Sequence, residues 1–136
     1  MKSRDSLIRL KRFQVEERRR RMAQIEAMIA EFARMAADLD REIALEEQRA
    51  GISDMAHFAY PTYARAARAR RDNLQRSSGE LREQLEAAKA LFDEAAAELS
   101  KATSLEGREK AADRGHEALD QGAPPIVNFD LRVARA

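Results

Sequence analysis

Apolar side chains recur along this chain in two long runs, with alternating steps of three and four residues. In the first run, Met22, Ile25, Ile29, Phe32, Ala36, Leu39 and Ile43 follow the spacing of a coiled-coil seam. That period keeps one stripe of a helix turned toward a partner. The second run, Ala67, Arg71, Leu74, Ser78, Leu81, Leu85, Ala88, Phe92, Ala95 and Leu99, keeps the same spacing. Folding the chain back near Met55, so that paired numbers sum to about 110, sets Met22 against Ala88, Ile25 against Leu85 and Ile29 against Leu81. It also sets Phe32 against Ser78, Ala36 against Leu74 and Ile43 against Ala67. Several of these pairs oppose a large side chain to a small one, which suits interdigitated packing. The pattern predicts an all-α fold: a long antiparallel two-helix coiled-coil hairpin with a flexible C-terminal tail.

Punctuation along the chain sets the expected boundaries. Ser3 or Ser6 suits the N-cap of the first helix, with Asp5 near its positive end. From there to Ala50 the chain has neither Gly nor Pro, which predicts a helix over about 5–50, roughly 65 Å long at 1.5 Å per residue. Gly51 fits the residue just past a helix end. The tip, 51–61, is expected to hold Ser53 or Asp54 as a new cap and a short helical turn between Asp54 and Ala59. Pro61 fits the first turn of a second helix over about 62–105. Gly79 is a weak point in that helix, costing about 1 kcal/mol relative to Ala. The hairpin thus spans 1–106, and Gly107 loosens its end. Residues 107–136 read as a C-terminal tail: a frayed helix over Arg108–Asp120, then a disordered or partner-bound segment after Gly122-Ala123-Pro124-Pro125.

Charge agrees with the fold-back. Arg18, Arg19, Arg20 and Arg21 are expected near Glu86, Asp93 and Glu94, and Asp38, Asp40, Glu42, Glu46 and Glu47 near Arg65, Arg68, Arg70 and Arg71. Opposite blocks face each other only if the helices run antiparallel. Exposed pairs contribute only about 0–1 kcal/mol each, so their value is in register and orientation.

Composition narrows the class. Of 136 residues, 36% are charged and only 5% aromatic, with no Trp, which fits a narrow seam better than a multilayer core. The net charge is +1, so bulk charge selects no partner. Distribution is more telling: residues 1–21 carry nine Lys/Arg against three Asp/Glu. The chain has no Cys, hence no disulfide or thiolate metal site. No apolar run approaches the roughly 20 residues of a membrane span. The opening MKSRDSLIRLKRF is basic without an apolar h-region, so it is not read as a secretory signal. A transit peptide is an alternative that Glu16 and Glu17 argue against. The expectation is a soluble cytoplasmic protein.

Catalytic motifs are missing. There is no phosphate-binding loop, no GxSxG and no HExxH, and the two histidines, His57 and His116, stand far apart. Carboxylates sit beside Arg or Lys at helical spacing, as on a solvated, ion-paired face. The chain is therefore read as no enzyme, with no cofactor and no metal.

Three features are left to carry function. The basic stretch Arg9, Lys11, Arg12 and Arg18–Arg21 reads as a solvated or internally paired face, as a binder of an acidic protein surface, or as a nucleic-acid contact, which Glu16 and Glu17 would interrupt. Arg18 falls on a seam position, from which it would reach Phe92. Near the N-terminus, Leu7 and Ile8 can join the seam, whereas Leu10 and Phe13 point off it. That second stripe fits a partner, or packing against Ile126, Val127 and Phe129 of the tail. At the tip, His57-Phe58-Ala59-Tyr60-Pro61-Thr62-Tyr63 concentrates aromatics with polar ends, which suit either an interface or closure of the hairpin. Met28, Met35 and Leu91 lie beside the seam, where they fill the core or join two chains into a four-helix bundle.

A Cys-free helical hairpin that opens Leu7-Ile8-Arg9-Leu10-Lys11-Arg12-Phe13-Gln14-Val15-Glu16-Glu17 and turns through an aromatic tip resembles the flagellar export protein FliJ family over roughly 1–105. The resemblance implies a cytoplasmic accessory protein of the bacterial flagellar type III protein export apparatus, which serves motility. It would be shaped like the coiled-coil shaft of a rotary ATPase, and would bind and stimulate the export ATPase hexamer. It would also link that ring to the cytoplasmic domain of the export gate and to export chaperones. By the same analogy Arg9, Lys11, Arg12, Phe13, Arg18, Arg19, Arg20 and Arg21 would contact the ATPase, and Phe58, Tyr60 and Tyr63 the gate. Ala67 stands where a bulkier apolar residue is expected, and the tail after Gly107 departs from the charged helical ending of the family. The alternatives are a generic coiled-coil scaffold or tether and a basic-arm nucleic-acid-binding protein. The latter would pair in parallel, against the mirrored pattern.

Overall fold

A computed structural model describes residues 2–120, and the side-chain surroundings of 3–116. Two helices account for most of this length: α1 over Lys2–Ala50 and α2 over Thr62–Asp120, packed antiparallel as an all-α helical hairpin. The described residues divide into two compact units, 14–95 and 2–13 with 96–120.

In the Gln14–Ala95 unit the core is the predicted seam. Ile25 is 1% exposed and forms a buried cluster with Leu81 and Ala88, against which Met22, Ile29, Phe32 and Leu85 pack. Val15, Ala36, Ile43, Ala64, Ala67 and Ala95 extend the buried row, and Ser78 is its one buried polar side chain. Large side chains on one helix thus lie over small ones on the other, the arrangement that lets two helices approach closely. Two ion pairs cross the seam, Arg71–Asp40 at 2.6 Å and Arg68–Glu47 at 2.8 Å. Both lie within about five residues of the predicted register.

The turn between the helices belongs to this unit. Gly51 takes φ +70°, the left-handed conformation in which a Cβ is strained. Its N–H donates to the Gln48 carbonyl at 3.3 Å and that of Ile52 to the Glu47 carbonyl at 3.2 Å, a Schellman end that satisfies carbonyls α1 leaves free. In place of the expected short helical turn, two successive tight turns follow. The His57 N–H donates to the Asp54 carbonyl and the Tyr60 N–H to the His57 carbonyl, each at 3.0 Å. Side chains make these turns: Asp54 Oδ1 accepts from the Ala56 N–H at 2.9 Å, and His57 Nδ1 accepts from the Ala59 N–H at 3.0 Å. Each side chain offers the backbone a local partner that competes with helix. The Pro61 carbonyl accepts the first α2 bond, from the Arg65 N–H at 3.1 Å.

In the other unit Ile8 and Ala102 are buried, and two ion pairs join the helices, Lys11–Glu98 at 2.7 Å and Arg4–Glu109 at 2.9 Å. The expected helix end near Leu105 is not there: α2 passes Gly107 and Gly115 unbroken and reaches Asp120. A helical Gly costs only about 1 kcal/mol relative to Ala. The Arg4–Glu109 and Glu106–Lys110 pairs hold the chain on both sides of Gly107. The expected disorder beyond Asp120 lies outside the described residues.

Candidate functional site

The arginine block does not make the predicted cross-helix pairs. Arg19 Nε lies 3.4 Å from Glu16 and Arg20 Nη2 2.7 Å from Glu17, both three residues earlier on α1. Four consecutive arginines surround a helix, so most cannot face α2, and the nearest carboxylates are on their own helix. The arginine over Phe92 is Arg19, with its guanidinium carbon 5.0 Å from the ring centroid, rather than Arg18. Among the described residues Arg18 and Arg21 make no ion pair. They line a groove beside Ile25 with Gln84, Ala87 and Leu91.

The tip residues predicted together separate in role. Tyr60 is only 4% exposed, and its hydroxyl donates to Glu47 at 2.6 Å while accepting from Arg68 Nε at 2.9 Å. The Tyr60 hydrogen bond, then that of Arg68, holds the Glu47 carboxyl below its usual value, and Glu47 raises the Arg68 guanidinium in turn. Arg65 lies over the Tyr60 ring at 5.3 Å and donates to the Met55 carbonyl. Tyr60 is therefore a closing bolt of the hairpin. Phe58, by contrast, is 95% exposed and stacks on His57 at 4.9 Å. Tyr63 is half exposed and its hydroxyl donates to Glu42, which pushes the phenol pKa up.

In the unit that holds the N-terminal stretch, Ile8 joins the seam while Leu7, Leu10 and Phe13 stay outside it, each more than 40% exposed. Lys11 is engaged with Glu98, and that bond holds the Glu98 carboxyl low. Arg9 and Arg12 are exposed and make no ion pair among the described residues. The exposed chemistry here is two guanidinium groups without an ion pair among the described residues, beside three apolar side chains.

The charge shifts named above arise from ion pairs and hydrogen bonds at the surface, without an enclosing cleft, as structural networks do. Among the described residues no group of three or more His, Cys, Asp or Glu could hold a metal ion, and no helix is long and apolar enough to cross a membrane. Sequence reasoning set Met28, Met35 and Leu91 beside the seam but missed the full rows to which they belong. Arg21, Met28, Met35 and Glu42 on α1, and Tyr63, Arg70, Ser77, Gln84 and Leu91 on α2, repeat every seven residues. Their mixed chemistry hid a period that position alone would have revealed. No protein-family model, curated protein or solved structure matches the chain.

Proposed function

We propose that this chain is an accessory coiled coil of flagellar type III protein export that binds and stimulates the export ATPase ring and links it to the export gate and chaperones. The observation that carries the reading is the set of arginines on α1 left without ion pairs among the described residues: Arg9, Arg12, Arg18 and Arg21. Leu10 and Phe13, in the same stretch of α1, stay exposed. Free guanidinium groups with apolar neighbours suit an acidic protein surface, because burying such groups at an interface needs carboxylate partners there. Lys11 and Tyr60 are tied within the hairpin, so they serve the contact by shaping it. Phe58 and Tyr63 remain as the exposed aromatics for the gate.

The test is ATP hydrolysis by the export ATPase of the same organism, with and without the purified chain. A dose-dependent rise is expected, reduced at least tenfold in apparent affinity by Arg9→Glu with Arg12→Glu, the loss of about 1.4 kcal/mol or more. Neither substitution breaks an ion pair among the described residues, so helicity by circular dichroism should be unchanged. A folded chain that neither binds nor stimulates the ATPase would overturn the reading in favour of a generic tether.

A further inference from the structure

Two rows of side chains run beside the seam of the Gln14–Ala95 unit. On α1 the row is Arg21, Met28, Met35 and Glu42; on α2 it is Tyr63, Arg70, Ser77, Gln84 and Leu91. Steps of seven keep a row on one helix face, with a drift of only about 20° per step. Both rows lie on the same flank. One groove there is lined by Arg18, Arg21 and Ile25 across from Gln84, Ala87 and Leu91. Another is lined by Met35, Asp38, Leu39 and Glu42 across from Tyr63 and Arg70. Met28, Leu91 and Tyr63 are 43%, 42% and 52% exposed, more than seam residues are.

Each row matches its own reverse: apolar positions map onto apolar ones and a cation maps onto an anion or an amide. A two-fold axis midway between Met28 and Met35 carries Met28 onto Met35 and Arg21 onto Glu42. On α2, an axis through Ser77 carries Tyr63 onto Leu91 and Arg70 onto Gln84. In the register of the hairpin, Ser77 lies within about two residues of the α1 midpoint, so one axis serves both rows. Such a surface is complementary to itself, as a two-fold interface requires.

We propose that this flank is a homodimer interface, on which a second copy of the chain packs antiparallel to complete a four-helix bundle. Met28 and Met35 of the two copies fill its centre, and Tyr63 of each covers Leu91 of the other. Arg21 of each copy, which has no ion pair within its own chain among the described residues, meets Glu42 of the other. A two-fold along the helices would instead set α1 against α2 of the other copy, with Glu42 on Arg70 but Arg21 on Leu91, so only the antiparallel arrangement pairs Arg21 with a carboxylate. From residue 21 to 42 the flank is about 33 Å long, and two helices side by side are about 20 Å wide. That is roughly 650 Å² per copy, close to the about 800 Å² per partner of a standard stable interface. The proposal does not depend on the export reading. If both hold, Arg21 serves one partner at a time, and dimer and ATPase ring compete for it.

The experiment is sedimentation equilibrium of the purified full chain, up to about 100 µM, where a micromolar dimer is almost wholly assembled. The wild-type mass should rise to twice the 15.4 kDa of one chain. Arg21→Glu places like charges at both ends of the interface and should weaken the dimer at least tenfold, as should Glu42→Arg. The double variant, Arg21→Glu with Glu42→Arg, restores opposite charges only in the antiparallel arrangement and should return most of the lost affinity. Circular dichroism checks that each variant remains helical. A wild-type chain that stays monomeric throughout would overturn the proposal. So would a dimer indifferent to Arg21→Glu, or a double variant no better than the single ones.

Discussion

Ile25→Ala tests the seam where it is tightest. Ile25 is the largest fully buried side chain, packed in the cluster with Leu81 and Ala88. The substitution removes three carbon groups, worth about 2.4 kcal/mol at about 0.8 kcal/mol each. The space left behind adds up to about 2 kcal/mol if nothing moves. The cluster is walled by half-buried Met22, Phe32 and Leu85, with solvent close behind, so the walls can close much of that space. The better helix propensity of Ala returns a few tenths of a kcal/mol. The expected loss is about 3 kcal/mol. The assay is urea unfolding followed by circular dichroism, in which the midpoint should fall by roughly 1.5–2 M at unchanged slope. Leu45→Ala serves as the comparison, since Leu45 is 51% exposed, and should cost at most about 0.5 kcal/mol. Equal, small effects at the two positions would refute the seam as the source of stability.

Two glycines should respond in opposite directions. Gly79 is helical with open space where a Cβ would stand, so Gly79→Ala should stabilise by about 1 kcal/mol in the same urea assay. Gly51→Ala meets no neighbour either, yet its φ of +70° makes the substitution destabilising by about 1–2 kcal/mol. Tyr60→Phe removes the first cause of the low Glu47 pKa. A carboxyl held below its usual 4.5 stabilises the fold above that pH and loses this contribution as pH falls through its folded-state value. Thermal melts should therefore show Tyr60→Phe less stable than wild type near neutral pH, with the gap narrowing as pH falls below 4.5 through the folded-state value. A gap that is constant with pH would show that the hydroxyl acts independently of Glu47.

The fold was legible because its cause is periodic. Steps of three and four, from Met22 to Ile43 and from Ala67 to Leu99, name every buried side chain inside those two spans, and the alternation of sizes sets the antiparallel register. Gly51 was legible too, because only one residue type takes a positive φ without strain. The site was legible in part. Leu10 and Phe13 fall off the seam by spacing alone, and they are exposed. Leu7 was expected to join the seam with Ile8 but stays outside it, since the narrow stripe has room for one of two neighbours.

Residue spacing thus suffices for the pair of helices, their seam and their direction, all consequences of burying one narrow apolar stripe. Which charges are occupied depends instead on the packed helices. Arg19 and Arg20 turned to Glu16 and Glu17, Lys11 to Glu98 and Tyr60 to Glu47 and Arg68. Long polar side chains reach several partners that differ by less than about 1 kcal/mol, so spacing cannot rank them. The end of α2 was likewise partly a tertiary matter, because the small penalty of Gly107 is offset in part by the Arg4–Glu109 pair, which exists only once the helices are side by side.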